Sequence, residues 1–82
     1  MVTGQPAPSA GPRVLLVDNG TPRDVFELVE LGDPIVQARS PFLFEVGEEL
    51  KLRIERDGTS RDVAVRVRGH RKDGVTELEI VA

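Results

Sequence analysis

His70 is the single imidazole in the 82 residues, and the chain has no cysteine and no tyrosine. A general base or nucleophile therefore has almost no side chain to draw on. No serine or aspartate stands at a spacing from His70 that would orient it, and its place beside "RKDG" reads as an exposed turn residue. The sequence is that of a protein that is not an enzyme, with no catalytic residue and no cofactor.

Glu27, Glu30, Asp33, Glu45, Glu48 and Glu49 could supply oxygen ligands to a hard cation, but they lack the alternating Asp and Gly of a calcium loop. They read as a solvated surface, and no metal site is expected. "GDP" at 32–34 and "VGEE" at 46–49 are single-glycine turns with no helix start behind them, so neither is a phosphate loop. Arg53, Arg66 and Arg68 could form a basic stripe on neighbouring strands. Glu55, Asp62, Glu77 and Glu79 share that outward face, which predicts ion pairs rather than a nucleic-acid platform, and stacking aromatics are missing there.

Fourteen acids against eleven bases give a net charge of -3, so no general attraction to nucleic acid or anionic lipid is expected. No run approaches the roughly 18 apolar residues of a membrane span, and no basic segment followed by an apolar core opens the chain. Without cysteine, neither a disulfide nor a thiolate metal site can compensate for the small core of so short a chain. A cytoplasmic location fits this composition.

Positioning falls to short alternating segments. Residues 1–12, "MVTGQPAPSAGP", have no periodic apolar face and read as a flexible leader; the folded domain is expected over 13–82. Strands are predicted over 13–18, 24–31, 35–40, 50–56, 62–70 and 75–81. In the second, Phe26, Leu28 and Glu30 would face one way and Val25, Val29 and Leu31 the other. Leu50, Leu52 and Ile54, then Val63, Val65 and Val67, and then Leu78 and Ile80 form the inward set. A two-residue turn at Asp73 and Gly74 would put Lys72 opposite Val75, Arg68 opposite Glu79 and Val67 opposite Ile80. No helical period is present, and six short strands close most economically into a small antiparallel β-barrel.

The loop "PFLFEVG" carries two of the three aromatic residues. Phe42, Leu43 and Phe44 are candidates for a protein contact, because an extended segment cannot bury both its sides against one barrel. The competing reading has all three plugging one end of the barrel.

From Glu27 to Gly74 the order of events resembles a PilZ domain: a strand, a turn ending in glycine, a strand running into "RSPFLFEVGEEL", then "KLRIER" and "VAVRVRGHRKDG". The resemblance implies a six-stranded β-barrel of a bacterial family that often binds cyclic di-GMP. In that family the ligand turn has Asp or Asn, then Ser, then Gly, where this chain has Glu27, Val29 and Gly32. Val29 can neither donate nor accept a hydrogen bond. The family's arginine pair, four apart in the leader, has no counterpart before Arg13.

The resemblance therefore implies a PilZ-like adaptor in motility or signalling, acting through a protein partner or as a homodimer, with no cyclic di-GMP binding expected. The alternative is a cyclic di-GMP receptor with a rearranged site of Arg13, Arg23, Glu27 and Gly32. A further alternative, a PDZ-like peptide-binding module, rests on "ELKLRIERDGTSRDVAVRV". It leaves no room for that family's peptide-binding helix.

Overall fold

Alternation becomes ladder along most of the chain. The computed structural model describes residues 11–82; the expected leader lies outside them except for residues 11 and 12. The described residues form seven strands, β1 (Arg13–Asp18), β2 (Thr21–Arg23), β3 (Glu27–Leu31), β4 (Ile35–Arg39), β5 (Glu49–Arg56), β6 (Thr59–His70) and β7 (Val75–Ile80), and contain no helix. They form one antiparallel sheet in the order β2-β1-β5-β6-β7-β4-β3.

Two of its hairpins turn on residue pairs that accept a left-handed backbone. Asn19 and Gly20 have φ of 52° and 82°, and Asp57 and Gly58 have φ of 54° and 78°. Positive φ at both central residues is what a two-residue turn needs to match the strands' twist. Asp18 accordingly faces Thr21, and Arg56 faces Thr59.

The inward set packs as one core. Leu52 lies opposite both Leu16 and Val63, and Leu78 lies opposite both Val67 and Val36. Val14, Val36, Ala38, Leu52, Val65 and Leu78 are wholly buried, and Phe26 joins them from just before β3.

The sheet differs from a six-stranded closed barrel. Among the described residues it has seven strands and stays open, with β2 and β3 at its two edges. Cα atoms of β1 and β3 come within 8 Å, so the sheet curls, but no ladder joins them. The cause lies in β2. Thr21, Pro22 and Arg23 fold back on Asp18, Val17 and Leu16, occupying the edge of β1 that β3 would need for closure.

Two bulges also shift the predicted faces. Leu28 pairs with Ala38 and Glu30 with Gln37, so Val29 is the extra residue of a β-bulge. Leu28 and Leu31 consequently both pack against the core, and Val29 is exposed. In β6 the register slips at Arg68, giving Val67 opposite Leu78 and His70 opposite Thr76, not the predicted pairs.

The turn from β6 to β7 spans four residues. Arg71 N–H donates to Val75 O at 2.7 Å, and Val75 N–H donates to the Asp73 carboxylate at 3.3 Å. Gly74 has positive φ but Asp73 does not, and both favoured two-residue turns need positive φ at the first central residue, so neither forms here.

Candidate functional site

The segment between β4 and β5 crosses from Ser40 to Glu48 and is held at both ends. Ser40 Oγ accepts from Phe42 N–H at 3.0 Å, and Glu48 Oε1 accepts from Glu45 N–H at 3.1 Å. Gly47 N–H donates to Val67 O at 2.8 Å, and Val67 N–H returns a bond to Glu48 O at 2.9 Å.

His70 supplies a strap. Its Nε2 is 2.6 Å from Phe44 O, and its Nδ1 is 2.9 Å from Thr76 Oγ1. A carbonyl can only accept, so Nε2 carries the proton, and in the neutral ring Nδ1 accepts from the buried Thr76 hydroxyl. His70 ends strand β6 and ties the loop to β7, a role that its position beside "RKDG" did not disclose.

On this anchored loop the three candidate contact residues separate. Phe44 is half-buried, with its ring 5.9 Å from Phe26 and 6.2 Å from Phe42. Phe42 and Leu43 are 52% and 84% exposed, and Val46, on the same loop, is 64% exposed. In an extended strand Phe42 and Phe44 would share one side and Leu43 would take the other. The loop is not a strand, and only Phe44 reaches the core.

Across the outward face of the sheet the arginines are neutralised by cross-strand acids. Arg53 Nε donates to Asp62 at 2.8 Å, Arg66 to Glu49 at 2.7 Å, and Arg68 lies 3.3 Å from Glu79. The first two pairs are ladder partners, whereas Arg68 reaches Glu79 from its bulge. The hydrogen bond from Arg53 holds the Asp62 carboxyl below the usual aspartate range. Bonds to Glu55, Asp62 and Glu49 raise Arg13, Arg53 and Arg66 correspondingly. Fields so locally cancelled exert little long-range pull on a polyanion.

The four residues of the rearranged ligand site lie apart in role. Arg13 Nε donates to Glu55 at 2.7 Å and has Asp24 at 3.6 Å, and Arg23 lies 3.4 Å from Asp18. Glu27 begins β3 opposite Arg39, whereas Gly32 follows its other end.

Gly32 has a backbone reason for being glycine. Its N–H donates to Ile35 O at 3.0 Å across the turn, and a Cβ here would sit 2.5 Å from that same oxygen. Gly32→Ala should cost roughly 1–2 kcal/mol, in the lower part of the range for overpacking. Gly69→Ala is the control, because a Cβ there meets nothing within 4 Å. Urea unfolding of the two variants measures the contrast, and equal midpoints would refute it.

Gly32 instead contributes to a groove of about 400 Å³, together with Leu31, Asp33, Ile54, Arg56, Thr59 and Arg61. Arg56 and Arg61 escaped the sequence reading, which followed each alternation only to its last apolar residue. Among the described residues no group of three or more His, Cys, Asp or Glu side chains is arranged to hold a metal ion. No helix among them is long and apolar enough to cross a membrane. Set against known proteins, the chain matches no family model, no curated protein and no solved structure.

Proposed function

We propose that this chain is a non-catalytic, PilZ-like adaptor domain that works by protein–protein contact through the loop between β4 and β5, in a bacterial motility or signalling assembly. The observation that carries the proposal is the exposure of Phe42, Leu43 and Val46 together on one anchored loop. Clustered apolar side chains at a surface favour a partner that removes them from water. A loop already fixed by Ser40, Glu48, Val67 and His70 loses little conformational freedom on docking. The assembly class comes from the PilZ resemblance of the sequence.

Cyclic di-GMP binding is not part of this function. Arg13 and Arg23 are both engaged by carboxylates, and a ligand would have to displace those partners. Calorimetry should show no binding with Kd at or below about 1 μM, which would require roughly -8 kcal/mol. A clear isotherm in that range would replace the adaptor reading with that of a receptor.

The contact itself is tested by a photo-cross-linking amino acid at position 43, introduced in the native host, with position 51 as the control. A discrete protein cross-linked from 43 and not from 51 is the expected result, and a second copy of the chain counts as such a partner. Leu43→Ser should weaken the association measured by sedimentation while changing stability by no more than about 0.5 kcal/mol. A chain that stays monomeric and gives no specific product from position 43 would refute the loop as a contact.

A further inference from the structure

We propose that the turn end of the β5–β6 hairpin is a binding site for a phosphate group, an assignment independent of the adaptor reading. Residues directly opposite in an antiparallel ladder share a side of the sheet. Ile54, on the core side, lies opposite Arg61, and two residues further out Arg56 lies opposite Thr59. The inward side of the hairpin therefore changes from Leu52 and Val63 to Ile54 and then to two guanidinium groups and a hydroxyl. The turn Leu31–Gly32–Asp33 forms the opposing wall, and the groove of about 400 Å³ lies between them. That volume is within the range of small-ligand pockets.

The charge arrangement singles out these two arginines. Of the nine in the chain, Arg13, Arg23, Arg53, Arg66, Arg68 and Arg71 each have a carboxylate within 4 Å among the described residues. Arg39, Arg56 and Arg61 appear in no such pair, and two of these three line one groove. They do so although Asp33 stands on the facing wall, beyond ion-pairing distance of either. Two planar forks of N–H donors suit the oxygens of a tetrahedral dianion and offer it charge-assisted bonds. Asp33 reduces the net charge of the groove to one positive unit, which acts alike on free phosphate and on a phosphate monoester, both dianions. The apolar surface of Ile54 and Leu31 in the lining favours an ester that carries an apolar group.

The test is an amide NMR titration of the full chain at fixed ionic strength with inorganic phosphate, phenyl phosphate and sodium chloride. Phenyl phosphate should give saturable shifts confined to residues 31–33 and 56–61, with at least threefold tighter binding than inorganic phosphate. Equal affinity would still support the site and would name the free ion as its ligand. The double variant Arg56→Gln/Arg61→Gln should lose at least tenfold in affinity, and Arg56→Lys/Arg61→Lys, which keeps the charge, should lose an intermediate amount. Both arginines are exposed, so the rest of each spectrum should stay in place and report an intact fold. Shifts that chloride reproduces, that spread over the outward arginines, or that persist in the glutamine variant would overturn the proposal.

Discussion

Replacing Leu52 by Ala will lower the unfolding free energy by about 2–5 kcal/mol, the range for a buried leucine whose cavity cannot collapse. Leu52 is wholly buried, opposite Leu16 on one side and Val63 on the other, so three strands lose contacts together. A domain of this size is stabilised by only about 4–10 kcal/mol in total. The variant should therefore unfold at much lower urea, and a fraction of it will be unfolded without denaturant at 37 °C. Leu43→Ala removes the same atoms from an exposed loop and should stay within about 0.5 kcal/mol of the parent. Urea midpoints for the pair are the measurement. A loss below about 1 kcal/mol at Leu52 would mean that the core is centred elsewhere.

Phe44→Ser carries the second large effect, about 2–4 kcal/mol, near the low end for aromatic truncation because Phe44 is only half-buried. The ring fills the space beside Phe26, and serine would leave a hydroxyl against that apolar surface. Each kcal/mol moves the melting temperature of so small a domain by roughly 4–8 °C, so a fall of at least about 8 °C is expected. Phe42→Ser, whose ring is half exposed and lies 6.2 Å from that of Phe44, should move it far less. Equal falls for the two would show that the whole loop is a plug and that partner contact lies on another surface.

These expectations draw on features that were unequally visible in the sequence. The β5–β6 hairpin was legible because both strands alternate without interruption and an Asp-Gly pair lies between them. The ion-paired face followed from the same alternation. The edge strand β2 was not legible, since Thr21, Pro22 and Arg23 are all exposed and carry no apolar signal. The bulges at Val29 and Arg68 are set by neighbouring strands, so parity counted along one strand misassigned Glu30 and Leu31 and displaced the last hairpin by its register.

The loop gave a mixed outcome for a related reason. Its apolar residues marked it as special, but hydrogen bonds from Val67 and His70, distant in sequence, turn Phe44 inward and leave Leu43 out. Arg56 and Arg61 were within reach of the sequence. The inward positions continue past Ile54 and Val63 at the same period of two, and the side they occupy was already defined by the leucines and valines before them.

The bulged and proline-bearing margins of the sheet bear on how this molecule behaves in a crowd. An open sheet has two rims where a foreign strand could zip on by main-chain bonds alone, without regard to sequence. Pro22 removes an N–H from one rim, which is only three residues long, and the bulge at Val29 breaks the spacing of the other between Glu27 and Glu30. Both rims are thereby poor templates for a continuous fibril-like addition. Attachment is thereby steered towards partners that recognise side chains, which favours selective encounters at concentrations where a bare sheet margin would polymerise.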